Sequence, residues 1–384
     1  MPNNFVFYLP TRIIFGTPAA EALANELALL NVARVLLVSD PGLAELGLVD
    51  GLRREVVQAG THITTFTGVS TNPTTVEVTA GLELARQNQV QAIIALGGGS
   101  PIDVGKAIAM LMANGGSYAD YQWGGKAITR RSLPLLAVPT TAGTGSEVSK
   151  VAVIVDPENP LKKGVLNPLM FAHAAILDPE LTRSLPGWLT AATGIDAFTH
   201  ALETFIGRRA NPYTDQLALC ALRKIWSALP QAAANGQNLA ARQDMMLAAT
   251  WAGMAMDHAG LGLIHALSGP LTGHLHLHHG VANALLLPAV LRFNLPAVSA
   301  DKKQLLAGVM GLPPSSDDDT MVEAVTQLVQ QLGLPTHLRE LNRPLDGVNW
   351  DAVAQETTQM VLIHNNPRPA SAADCRQLLR EVGA

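Results

Sequence analysis

Ala92-Ile93-Ile94-Ala95-Leu96-Gly97-Gly98-Gly99-Ser100-Pro101-Ile102-Asp103 joins an apolar run to a glycine loop and then to a helical stretch through Met112. A run apolar at every position reads as a strand buried on both faces, the habit of parallel sheets. The loop opens a helix, and backbone N–H groups at such a turn suit a diphosphate. Glycine is needed there because a Cβ would hold the phosphate off the backbone. The usual dinucleotide fingerprint is incomplete, since Ile102 stands where its last glycine belongs. A tight strand-to-helix turn is the plainer reading, with Asp103 as a cap in the first helical turn.

The same alternation runs outward. Val35–Val38, His62–Phe66 and Leu135–Val138 read as further strands, the last closed by Pro139. Leu43 to Gln58 and Thr74 to Gln89 read as helices between them. Strands alternating with helices predict a parallel sheet covered on both faces, a Rossmann-like α/β domain. After about Leu185, Ala, Leu and Met dominate. Trp188 to Ile206, Pro212 to Leu229, Ala240 to Met256, Ala282 to Phe293 and Thr320 to Leu332 fit helices. Pro179 and Pro186 flank the change. The expected division is an α/β domain over 1–184 and a helical domain over 185–384, which the family resemblance given below makes the dinucleotide-binding domain and the metal and substrate domain.

The bulk numbers agree with two globular domains: 384 residues, 48% apolar and 15% charged. A net charge of −5 with no basic block disfavours nucleic acid and anionic membrane as partners. Cys220 and Cys375 stand far apart, which excludes a disulfide framework and fits a reducing compartment. The stretch from Met1 to Pro10 lacks the regions of a signal peptide, and no uninterrupted apolar run approaches the roughly 18 residues of a spanning helix. The expectation is a soluble, cytoplasmic protein.

Three polar features could carry chemistry. The loop Thr140-Thr141-Ala142-Gly143-Thr144-Gly145-Ser146-Glu147-Val148-Ser149 has small hydroxyl residues that let a flat ring approach the backbone. Its bland reading is a helix start with a Thr144–Glu147 capping box. Asp40 ends the first strand read above and could bind a ribose diol, favouring NAD over NADP, or it is a turn residue before Pro41-Gly42. Asp196 and His200, four apart in a helical stretch, share one face. With His265 and one of His274, His276, His278 and His279, they offer a carboxylate and three imidazoles, a set that suits a divalent first-row metal. Spacing does not choose among the four alternating histidines, and an Asp/His pair on a helix is more often a cap with a core histidine.

At these residues the chain resembles the iron-containing (group III) alcohol dehydrogenase family along nearly its whole length. Pro10 to Gly16 is similar to the family's opening strand. Asn72-Pro73-Thr74, the Gly97–Asp103 loop and Thr140–Thr144 look like its cofactor-binding segments. Leu189-Thr190-Ala191-Ala192-Thr193-Gly194-Ile195-Asp196-Ala197-Phe198-Thr199-His200-Ala201-Leu202-Glu203 is similar to its signature, and Asn365-Asn366-Pro367-Arg368-Pro369 to its tail. The resemblance implies one divalent metal, Fe²⁺ first and Zn²⁺ as the alternative, held by Asp196, His200, His265 and His279. It implies NAD contacts at Asp40, Asn72, Gly98, Gly99, Ser100, Asp103, Thr140, Thr141, Thr144, Ser149 and Lys162. It further implies a site between the domains, a homodimer or larger assembly, and a small alcohol/aldehyde substrate.

The expected chemistry is hydride transfer between that substrate and NAD(H), with the metal as Lewis acid and no catalytic residue beyond the metal site. The rival readings are a lyase resembling dehydroquinate synthase, which recycles its NADH, a polyol dehydrogenase resembling glycerol dehydrogenase, and a non-catalytic binding protein. The chain departs from the family where Gly269 replaces a frequent histidine, and where histidines precede His279. Lys150, His274 and His278 therefore raise the expectation of a pocket that receives an acidic aldehyde, against the plainer reading that they reach solvent.

Overall fold

The computed structural model describes residues 4–58, 60–122, 124–341, 343–345 and 347–383, except for the side chains of 58 and 159–163. The chain divides into two compact units, Leu9–Arg183 and a second formed by Met1–Tyr8 with Ser184–Ala384. The first residues join the helical unit because Tyr8 N–H donates to His258 Nε2 at 3.0 Å and Phe7 stacks on that ring at 4.0 Å.

The first unit is a six-stranded parallel sheet. Its elements run β1 (Arg12–Phe15), α1 (Ala19–Leu30), β2 (Arg34–Val38), α2 (Pro41–Glu45), α3 (Leu48–Gln58), β3 (His62–Phe66), α4 (Thr75–Gln87), β4 (Ala92–Gly97), α5 (Gly99–Asn114) and β5 (Leu135–Pro139). An antiparallel hairpin, β6 (Val151–Asp156) and β7 (Asn159–Leu166), precedes β8 (Ala174–Leu177). The strand order is β1-β8-β5-β4-β2-β3. Successive residues of the central strands enter two different cores. Leu36, Val38, Ile93 and Ala95 pack with α4 and α5, whereas Val35, Leu37, Ile94 and Leu96 pack with α1 and α3. Covering both faces is why these strands read as continuous apolar runs.

Two sequence expectations change here. The helix read over Leu43 to Gln58 is two helices, because Gly47 takes φ +74° and the chain turns left-handed between them. Strand β8 was not read at all, since Ala174-Ala175-Ile176-Leu177 is short and half alanine.

The second unit is helical: α6 (Gly187–Ile206), α7 (Pro212–Ala234), α8 (Leu239–Ala259), α9 (Leu263–Leu275), α10 (His279–Asn294), α11 (Ala300–Val309), α12 (Asp318–Gln331), α13 (Trp350–Gln359) and α14 (Ala372–Glu381). Helix α6 is buried at every position from Thr190 to Ile206. It is apolar around most of its circumference, as a helix surrounded by others must be. The stretch His279–Ala297 is long and apolar enough to cross a membrane, but it is mostly buried within its unit, as a core helix is.

Candidate metal centre

Helix α6 carries Asp196, His200 and Glu203 at i, i+4 and i+7, so all three lie on one face. His265 sits in the first turn of α9 and His279 is the first residue of α10. The start of α10 packs directly on α6. A Cβ at Gly280 would stand 2.1 Å from the backbone oxygen of Ala192, one turn before Asp196, so only glycine permits the contact.

These helices bring three imidazoles to one carboxylate oxygen. The Nε2 atoms of His200, His265 and His279 lie 3.5, 3.5 and 3.6 Å from Asp196 Oδ1. Donor atoms about 2.1 Å from a tetrahedral ion stand about 3.4 Å apart, so the spacing fits one divalent metal of the first row. The ligating atoms of Asp196, His265 and His279 all lie within 4.8 Å of one another, and the His200 ring stacks on that of His265 with centroids 4.7 Å apart. Asp196, His200 and His265 are buried. Burial opposes the Asp196 charge, but His200, His265 and His279 outweigh it and hold the carboxyl well below its usual range. Burial likewise opposes a proton on His265, yet its hydrogen bonds to Asp196 and Glu203 push it up to about 9. A metal held by His265 Nε2 would have to take the place of a proton there.

Two further residues complete the cluster. Asn283, one turn after His279 on α10, donates from Nδ2 to Asp196 Oδ1 at 2.8 Å and lies 3.3 Å from His265 Nε2. Glu203 accepts a hydrogen bond from His265 Nδ1 at 2.7 Å. Neither was singled out from the sequence as a site residue, although the i+7 spacing of Glu203 from Asp196 was there to be read.

The histidines before His279 behave otherwise. His274 Nε2 lies 3.1 and 3.2 Å from the two carboxylate oxygens of Glu356, so its ring is engaged within the helical unit. His278 stands edge-on to Trp188 at 6.0 Å. Lys150, in the other unit, lies over the Phe171 ring at 5.8 Å. At Gly269 a Cβ would meet only Met360 Cε, at an ordinary 3.5 Å. Gly269→Ala should therefore raise stability by about 0.5–1 kcal/mol through helix propensity alone. A rise in the thermal midpoint checks this, and a fall would mean the position has no room.

In the sheet unit the expected cofactor residues cluster at the C-terminal ends of β2, β4 and β5, where ligands of open α/β sheets bind. Gly98 caps α5. A Cβ on Gly99 would stand 2.9 Å from Thr144 Cγ2, and one on Gly98 3.4 Å from Thr141, so the glycine loop abuts the threonine loop. Thr140 N–H donates to Gly97 O at 3.0 Å. Ser100 Oγ donates to Thr71 O at 3.0 Å, beside the exposed Asn72. Asp40 is the N-cap of α2, accepting from Leu43 N–H at 3.0 Å. The Lys162 side chain lies outside the described residues.

Asp103 and Ser149 face inward. Asp103 accepts from Ser146 Oγ at 2.5 Å and from Val153 N–H at 2.9 Å. The fully buried Lys106 donates to Ser146 Oγ, Ser149 Oγ and Val151 O at 2.9, 3.1 and 2.7 Å. Burial pushes the Asp103 carboxyl up, against the pull of Lys106 and Ser146. Lys106 was not read from the sequence, where it looks like any helical lysine. The Thr144–Glu147 capping box does not form. Gly145, left-handed at φ +63°, precedes a single 3₁₀ turn, and Thr144 Oγ1 accepts from Ser146 N–H instead.

Comparison with known proteins identifies the family. A family model described as iron-containing alcohol dehydrogenase matches residues 10–179, and one described as Fe-containing alcohol dehydrogenase family, C-terminal, matches residues 190–383. The chain is 37% identical over 391 residues to a 4-hydroxybutyrate dehydrogenase of Cupriavidus necator, covering 98% of this chain and 99% of that one. A crystal structure of 1,3-propanediol oxidoreductase superposes with a TM-score of 0.94 at 36% identity, covering 99% of this chain and 100% of the other. The sulfoacetaldehyde reductase of Bifidobacterium kashiwanohense, solved in complex with NAD⁺, superposes with a TM-score of 0.92 at 30% identity, and the match covers both chains fully.

Proposed function

Because the chain belongs to the iron-containing alcohol dehydrogenase family, we propose that it transfers a hydride between NAD(H) and a small alcohol/aldehyde pair at a metal held by Asp196, His200, His265 and His279. The observation that carries this reading is the approach of three imidazole Nε2 atoms to Asp196 Oδ1 in a buried helical setting. When bound, the metal supplies Lewis acidity to the substrate oxygen and the nicotinamide supplies or accepts the hydride.

The chain's own residues bind and orient. Asp196 contributes negative charge and Asn283 holds its Oδ1 by a hydrogen bond. In the sheet unit, the backbone N–H groups of Gly98, Gly99 and Ser100 at the start of α5 receive the diphosphate. Thr140, Thr141 and Thr144 offer hydroxyls to the nicotinamide side, and Asn72 and Lys162 complete the contacts. Asp103 and Ser149 belong to the same set of contacts and also hold the threonine loop through Lys106 and Ser146. Iron is the family's metal. Zinc competes for the same donors, since its intrinsic affinity for nitrogen and oxygen ligands exceeds that of ferrous iron. We place the enzyme in the cytoplasm as a homodimer or larger homo-oligomer, and a sedimentation measurement tests the latter.

Asp40 favours NAD(H), its carboxylate facing the adenosine ribose and repelling the extra phosphate of NADP(H). Asp40→Gly removes that charge and, as glycine is a tolerable N-cap, costs the α2 start only a few tenths of a kcal/mol. Its kcat/KM for NADPH should rise about tenfold, a change of about 1.4 kcal/mol. A wild-type preference for NADPH would contradict the assignment.

The substrate is an uncharged short-chain pair. His274 lies against Glu356, which engages one of the three side chains that an acid-receiving pocket would use. Butanal should therefore show a higher kcat/KM than succinic semialdehyde or sulfoacetaldehyde. A preference for either acid would restore the anionic reading.

A further inference from the structure

We propose that Glu203 is a positioning residue for the metal. It keeps the His265 proton on Nδ1, so that Nε2 faces the ion, and it caps the helix on which His265 stands. The inference rests on the assignment of Asp196, His200, His265 and His279 as metal ligands.

Glu203 is 1% exposed and its carboxylate meets three donors. Oε2 accepts from His265 Nδ1 at 2.7 Å and from Gly262 N–H at 3.0 Å, and Oε1 accepts from Ile264 N–H at 2.5 Å. Helix α9 has no cap of its own, because its N-cap residue is Gly262. The carboxylate of another helix takes that role and satisfies two of the N–H groups that every helix start leaves unpaired. Glycine at 262 leaves room for the approach, since a Cβ there would stand 3.1 Å from Glu203 Oε1 and 3.0 Å from Asn366 Oδ1, a tight contact with both side chains.

The tail holds the same turn from other directions. Asn365 Nδ2 donates to Ala259 O and Leu261 O at 2.9 and 3.0 Å, and Asn366 Oδ1 accepts from Leu263 N–H at 3.1 Å. The turn is thus fixed by three side chains, but only Glu203 also touches the imidazole.

That contact has a chemical consequence. An imidazole that donates from Nδ1 presents a lone pair at Nε2, and a carboxylate partner makes that lone pair more basic. Three donors converge on Glu203. A glutamine amide has one acceptor oxygen and must aim its NH₂ at some of them. The relief open to the site is for His265 to move its proton to Nε2, the atom needed for the metal, or to rotate away. Metal binding should therefore weaken in Glu203→Gln by about 10–100-fold.

The experiment uses full-length protein stripped with chelator and titrated with Co²⁺ against a chromophoric competitor, with the Co²⁺ absorption spectrum recorded. Wild type, Glu203→Gln, Glu203→Asp and Asn365→Ala are compared. Glu203→Gln should show the weaker constant and an altered Co²⁺ spectrum. Asn365→Ala, which loosens the same turn without touching His265, should lower the thermal midpoint and keep the wild-type constant and spectrum. The proposal is overturned if Glu203→Gln binds Co²⁺ with the wild-type constant and spectrum, or if Asn365→Ala weakens binding as much. Should Glu203→Gln fail to fold, Glu203→Asp decides. Its carboxylate is drawn back by one methylene, so weaker binding supports the proposal and an unchanged constant overturns it. A wild type that takes up no Co²⁺ refutes the ligand assignment itself, and this inference with it.

Discussion

His265→Ala should lose its metal on dialysis and lower kcat/KM for butanal with NADH by about 10³-fold or more. Metal polarisation of the substrate oxygen is worth several kcal/mol, and each 1.4 kcal/mol is a factor of ten. The helical unit should survive. His265 is one of three imidazoles around Asp196, and Glu203 keeps its two backbone partners at Gly262 and Ile264 when the ring is gone. Loss of one hydrogen bond to a buried carboxylate costs about 1–3 kcal/mol, within what a folded domain tolerates. Metal analysis, circular dichroism and steady-state rates on the same sample check the prediction. A His265→Ala protein with full metal content and wild-type rate would remove His265 from the site.

Gly280→Ala should be damaging out of proportion to one methyl group. The added Cβ would meet the Ala192 backbone oxygen at 2.1 Å, and backbone cannot step aside as a side chain can. Helix α10 must then lift from α6, moving His279 and Asn283 away from Asp196. Overpacking of this kind costs about 1–3 kcal/mol or more, so the thermal midpoint should fall by several degrees and the metal constant should weaken with it. The comparison is Gly269→Ala, where the same chemical change makes only an ordinary contact with Met360 Cε and is expected to stabilise. If both substitutions leave the midpoint and the metal constant alike, the close approach of α6 and α10 does not set the site.

The sequence was most legible where burial is uniform. The apolar runs at Val35–Val38, Ala92–Leu96 and Leu135–Val138 appear as strands because both faces of the sheet are covered. The long stretch ending at Ile206 appears as one helix because no glycine or proline breaks it near Asp196 or His200 beyond Gly194. Helix α9 was missed for the opposite reason. Gly269, Pro270 and Gly273 lower its helix propensity, and it forms because Glu203 and Asn366 hold its start and the surrounding helices hold its body. Strand β8 escaped because two of its four residues are alanines.

The site divides in the same way. Asp196 and His200 announce themselves by a local spacing, whereas the approach of His265 and His279 depends on three helices packing together. Asn283 and Lys106 reach partners far away in sequence, Asp196 at 87 residues for the one and Ser146 and Ser149 at 40 and 43 for the other. No local pattern marks such residues. Asp103 and Ser149, which the resemblance places among the NAD contacts, also make hydrogen bonds to Ser146, Val153 and Lys106 inside the unit, and no local pattern announces those.

The most direct test of the central claim is net NADH formation from NAD⁺ and a short-chain alcohol, such as 1-butanol, by protein stripped of metal and then reloaded with Fe²⁺ or Zn²⁺. The account predicts no turnover by the stripped protein, and after reloading one NADH formed for each aldehyde produced. Equal turnover with and without metal, or metal and NAD⁺ binding with no net NADH from any short-chain alcohol, would contradict it.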